Sequence, residues 1–119
     1  MKLLIIENDL LVLKTIEIKF RTEGFTVVCC RDFSEGVSLI KSELPDIVLS
    51  GIDNDPRSAL EIIRFSKSVT SKQITAFLLA KPGQEEAVET AFTIGLDDFV
   101  KKPFSIAELM IRIRRFTSF

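Results

Sequence analysis

Five short apolar runs, at residues 3–6, 25–30, 46–50, 74–80 and more weakly 99–101, alternate along this chain with longer amphipathic stretches. Most of the runs are continuous rather than alternating, the pattern of strands buried on both faces of a parallel sheet. The stretches between them have helical spacing. In residues 10–22, Leu13, Ile16 and Phe20 share one face, and Gly24 sits just past the end, where a left-handed turn is wanted. The second stretch begins at Asp32, with Glu35 three residues on as a capping box, and stops before Pro45. Asp55 with Pro56 opens the third, and Leu60, Ile63 and Ile62 read as its buried stripe. The fourth spans residues 84–94 and stops at Gly95. The fifth starts at Ser105, with Glu108 as its capping partner, and continues into Arg114 and Arg115.

Five strand–helix units in 119 residues predict an α/β fold, a doubly wound five-stranded parallel sheet in the order 2-1-3-4-5 with helices on both faces. No repeat, low-complexity tract or linker interrupts the chain, so residues 1–119 read as a single domain. The apolar share of 46% is enough for a core, which argues against disorder. Sixteen Lys and Arg against seventeen Asp and Glu leave a net charge of -1, which offers no electrostatic grip on nucleic acid or an anionic membrane. No apolar run approaches the ~20 residues of a membrane span. Leu3-Leu4-Ile5-Ile6, cut off by Glu7-Asn8-Asp9, is too short for a signal peptide. The chain has no histidine, which excludes histidine-based acid–base catalysis, histidine-ligated metals and histidine phosphorylation. Cys29 and Cys30 are adjacent, and strand neighbours point to opposite faces. They read as two reduced thiols, one of them in the core, with a vicinal redox pair as the alternative. Reduced thiols fit a cytoplasmic location.

In a sheet of this order the functional crevice lies beyond the carboxyl ends of the strands, where strands one and three diverge. Strand one delivers Glu7-Asn8-Asp9 there, strand three Ser50-Gly51-Ile52-Asp53, strand four Leu79-Ala80 and strand five Lys101-Lys102-Pro103. Glu7, Asp9, Asp53 and a lysine are thus placed to converge on a cation or phosphoryl group. The competing reading is that acidic residues after strands simply cap helices, and for Asp9 and Asp55 that reading is the favoured one.

Three segments carry a resemblance that covers most of the chain: residues 3–9 (LLIIEND), 45–49 (PDIVL) and 95–104 (GLDDFVKKPF). With them the chain resembles a CheY-like receiver domain, the phosphoacceptor module of bacterial two-component signalling. The resemblance implies the flavodoxin-like three-layer sandwich and a site of five side chains. Two acidic residues that hold magnesium match Glu7 and Asn8, and the phosphoacceptor aspartate matches Gly51. The Thr or Ser that ends strand four matches Leu79, the switch aromatic Phe99, and the conserved lysine Lys102. Glycine offers no nucleophile, asparagine no charge and leucine no hydrogen bond. The reading is therefore a degenerate receiver, a pseudo-receiver with no catalytic residue, no metal site and weak or absent Mg2+ binding. A register shift of one would bring Ser50 to the acceptor position, and a shift of two Asp53. The orphaned Lys102 is expected to pair with Glu7, with Asp53 as second choice, and Lys102-Pro103 to be cis as in the family.

The carboxyl-terminal part resembles the winged-helix transcription-regulator subfamily, whose receivers dimerise through the fourth helix, fifth strand and fifth helix. On this face stand Asp98, Glu108, Ile111, Arg112 and Arg115, with Asp98 and Arg112 expected to pair across subunits. Ile111 lies about 200° round the helix from Leu109 and Ile113, hence outward. Three functions compete. The first is a phosphorylation-independent protein-interaction or dimerisation module, whose partner is a protein or a second copy. The second is a receiver that still responds, through Asp53, Ser50 or a small ligand. The third is a small enzyme or nucleotide carrier, for which no glycine-rich phosphate loop is present. Met1 reads as a true start, so an output domain after Phe119 is an expectation.

Overall fold

The computed structural model describes residues 1–117. Its elements are β1 (Lys2–Ile6), α1 (Leu10–Thr22), β2 (Thr26–Cys30), α2 (Phe33–Glu43), β3 (Ile47–Gly51), α3 (Pro56–Ser68), β4 (Thr75–Ala80), α4 (Glu85–Thr93), β5 (Asp98–Lys101) and α5 (Ile106–Arg114). The sheet is parallel throughout, in the order β2-β1-β3-β4-β5. This is the architecture that the alternating runs predict.

Local chemistry sets the helix ends. Asp9 accepts hydrogen bonds from the backbone N–H groups of Leu11 and Val12, Asp55 from that of Arg57, and Ser105 from that of Glu108. Each satisfies a donor that the first helical turn leaves unpaired. Asp32 caps α2 through the N–H of Ser34, one residue short of the expected Glu35. Gly24 has the predicted positive φ, +93°. Phe25 lies just outside β2 and packs edge-on against Phe20, ring centroids 4.9 Å apart. In α3 the buried residues are Ala59, Ile62, Ile63 and Ser66, and Leu60 is only half-buried. The 3.6-residue period places Leu60 at the margin of that face.

Strand alternation divides the core in two. Leu3, Ile5, Leu49, Phe77, Leu79 and Val100 pack under α1 and α5. Leu4, Ile6, Val48, Ala76, Leu78 and Ala80 face α2, α3 and α4. Each fully buried Leu or Ile stabilises the fold by roughly 1.5–3 kcal/mol. Cys29 leans on the first layer and Cys30 lies in the second, so the thiols diverge as expected and form no bridge. Burial pushes both thiols up to about 11. No described helix is long and apolar enough to cross a membrane.

Candidate functional site

Glu7 leaves the end of β1 with its N–H still bonded to the carbonyl of Cys30, 3.1 Å. Its side chain is 1% exposed. Lys102, just past β5, is anchored by its N–H to the carbonyl of Ala80, and the Lys102-Pro103 bond is cis. The Lys102 Nζ donates to Glu7 Oε1 at 2.8 Å, and the N–H of Asp9 donates to Glu7 Oε2 at 2.9 Å. The lysine is thus turned inward onto the carboxylate that topology favoured.

Gly51 is the last residue of β3 and is buried. A Cβ built on it would stand 2.3 Å from Glu7 Oε1 and 3.0 Å from Glu7 Cδ. The Glu7 carboxylate therefore fills the space that a side chain at 51 would need. Ser50, the one-residue alternative, is fully buried, and its hydroxyl donates to the carbonyl of Gly51.

The other carboxylates do not converge with Glu7. Asp9 is spent on capping α1, and Asp53 accepts from the N–H of Asp55 at 2.9 Å. Asn8 is exposed, and its carbonyl accepts from the guanidinium of Arg31 at 2.9 Å. Among the described residues no group of three or more acidic, His or Cys side chains is placed to hold a metal ion. Asp9 and Asp55 thus act as the helix caps that the sequence favoured, and Asp53 does not join Glu7 in a metal-holding group. Two unpaired helix-start donors and a turn N–H claim Asp9 and Asp53 first.

The structure also corrects the position at the end of β4. The strand ends at Ala80, one residue beyond Leu79. Leu79 faces the α1–α5 layer, whereas Ala80 lies on the same side of the sheet as Phe99. Alternation makes a one-residue offset a change of face. Ala80 therefore stands where a hydroxyl would meet the aromatic, and it too has no donor. Phe99 is half-buried and packs edge-on against Phe92, centroids 6.0 Å apart. Together with Ala80 and Val88 they line a cavity of about 320 Å³.

On the outer face Asp98 and Arg112 bond each other within the chain, Nη1 to Oδ2 at 3.1 Å, and Glu108 approaches Arg112 at 3.7 Å. Within the single chain these two residues are thus paired with each other. β5 and α5 are neighbours, and the carboxylate is satisfied without a partner chain. Ile111 is 64% exposed, as its place on the helix predicts, and Arg115 is exposed beside it. Arg31 and Phe92 are not among the sequence candidates, and Ala80 is placed at the crevice there only as the neighbour of Leu79. Counting the alternation of β4 back from its last residue finds Ala80. Arg31 donates to a backbone carbonyl, for which sequence carries no signal.

The family model of the response regulator receiver domain matches residues 3–114, and the chain belongs to that family. Solved structures agree on the fold. A response regulator receiver domain protein from Clostridium thermocellum has a TM-score of 0.86 at 22% identity, covering 96% of this chain and 91% of its own. The signal receiver domain of a signal transduction histidine kinase from Syntrophus aciditrophicus has a TM-score of 0.82 at 21% identity, covering 98% and 89%. NtrX from Brucella abortus matches at 18% identity and a TM-score of 0.83, covering 96% of this chain but 26% of the longer protein. The chain is accordingly a receiver domain of the response regulators of two-component signalling.

Proposed function

We infer that this receiver works without phosphorylation, as a non-catalytic module of cytoplasmic signalling that binds a protein partner or a second copy of itself. One observation carries the reading. At the acceptor position stands Gly51, and the Glu7 carboxylate lies in its side-chain space, already paired with the Lys102 ammonium. No nucleophile is left at that position. Ala80 offers no hydrogen bond for a phosphoryl oxygen. Full burial speaks against Ser50 as a substitute acceptor, which leaves Asp53, half-buried and bonded to a turn N–H.

These residues do not fit the magnesium ion that the family implies. Hard cations want several oxygen ligands with negative charge. Here Glu7 is committed to Lys102, Asn8 is neutral and Gly51 has no side chain. Incubation with a small phosphodonor and Mg2+, followed by intact mass, tests the reading. No mass gain is expected. A stoichiometric gain of one phosphoryl group mapped to residues 50–53 would overturn it.

The surface offered for association is the face of α4, β5 and α5. It presents Ile111 and Phe92 as exposed apolar groups, with Glu108 and Arg115 around Ile111. Asp98 and Arg112, paired within the chain, lie on the same face. Ile111→Glu should convert a dimer to a monomer in sedimentation while leaving the melting temperature nearly unchanged. The net charge of -1 over the whole chain offers no electrostatic argument for binding nucleic acid or an anionic membrane.

A further inference from the structure

Glycine at 51 is not needed for its backbone freedom. The glycines with positive φ are Gly24, Gly83 and Gly95, and Gly51 is not among them. The residue that a side chain there would meet first is Glu7. The three nearest heavy atoms to an ideal Cβ are Glu7 Oε1 at 2.3 Å, Cδ at 3.0 Å and Oε2 at 3.4 Å. The end of a glutamate side chain ordinarily moves aside at little cost. This one is held at both oxygens, by Lys102 Nζ at 2.8 Å and the Asp9 N–H at 2.9 Å, in a buried position.

We propose that Gly51, Glu7 and Lys102 form one interlocked unit, in which the missing side chain at 51 is the seat of the Glu7 carboxylate. The partner of the lysine is then supplied by β1 instead of β3. The proposal rests on the reading that the site is not phosphorylated, and deepens it. The site is filled from within, and restoring an acceptor at 51 alone does not reopen it. Any side chain there must push a buried carboxylate off its ammonium. An aspartate would also set a second negative charge against the first, which low-dielectric surroundings penalise heavily.

Coupling between positions 51 and 7 follows, because two residues competing for one space are not additive. Gly51→Ala should lower the melting temperature by about 4 °C or more in the native background. Glu7→Asp withdraws the carboxylate by one methylene, so in that background Gly51→Ala should lose less than half as much. A loss of half or more would overturn the proposal. If Gly51→Ala alone does not fold, the double variant Glu7→Asp/Gly51→Ala decides. Recovery of a cooperative transition supports the unit, and continued failure overturns it. Phosphoryl incorporation by the native chain is read separately by mass. It would remove the functional reading without touching the coupling.

Discussion

The two ends of the sheet treat charge in opposite ways. At the carboxyl end one dry pair, Glu7 with Lys102, is 1% and 13% exposed. At the amino end charge is spread over several partly wet pairs. Lys72 meets Asp46 at 2.9 Å, Lys2 meets Glu43 at 3.1 Å, and Lys67 meets Asp97. The carboxylates there also accept backbone bonds at the starts of strands. Asp46 takes the N–H of Lys2 at 2.7 Å, and Asp97 that of Ala76 at 2.8 Å. The amino end thus staples neighbouring strands with groups that water can partly solvate. At the carboxyl end the Glu7–Lys102 contact is mostly shielded from water. At that end the Glu7 carboxylate lies where a side chain on Gly51 would stand.

Breaking the pairs one at a time measures this difference. The largest loss is expected from Lys102→Met, which strands a buried carboxylate and should cost about 3–5 kcal/mol in urea unfolding. Adding Glu7→Gln removes the stranded charge and should recover most of it. A Lys102→Met cost below that of any amino-end change would reverse the contrast. Asp97→Ala comes next, at roughly 1–3 kcal/mol, because it leaves the N–H of Ala76 without its acceptor.

Asp46 shows itself through pH. Burial alone would raise its carboxyl, but the bonds from the Lys2 N–H and Lys72 outweigh burial and hold it below the usual value. A depressed folded pKa contributes stability that is present above the unfolded carboxylate range and lost as pH falls through the folded value. Asp46→Asn should therefore flatten the acid limb of the stability profile and leave the neutral-to-alkaline part parallel to the native curve. Glu43→Gln should change least, by ~0–1 kcal/mol, since its pair with Lys2 is partly exposed to solvent and its carboxylate accepts no strand N–H.

The thiols sharpen the same contrast between dry and wet surroundings. Burial holds both near 11, so each is a poor nucleophile at neutral pH. Alkylation of Cys29 and Cys30 at pH 8 should be slow in the native chain and fast in denaturant. Equal rates would mean that the layers on either side of β2 open readily.

Periodicity and capping made the element order, the strand order and the helix starts legible before any coordinates, because they act between residues near each other in the chain. The glycine at 51, the amide at 8 and the outward place of Ile111 were legible for the same reason. The Lys102–Glu7 contact was within reach because strand order alone brings their strand ends to one crevice. Three things waited for the tertiary structure. Ala80 rather than Leu79 shares a face with Phe99, since a strand's last residue is set by pairing with its neighbours and one residue changes the face. Asp98 and Arg112 meet within the single chain, since their approach depends on how β5 and α5 pack and not on spacing along the sequence. The Glu7 carboxylate occupies the space at Gly51, since a seat for a side chain exists only where two strands, packed side by side, leave one. Sequence writes which atoms are missing, and packing decides what moves into their place.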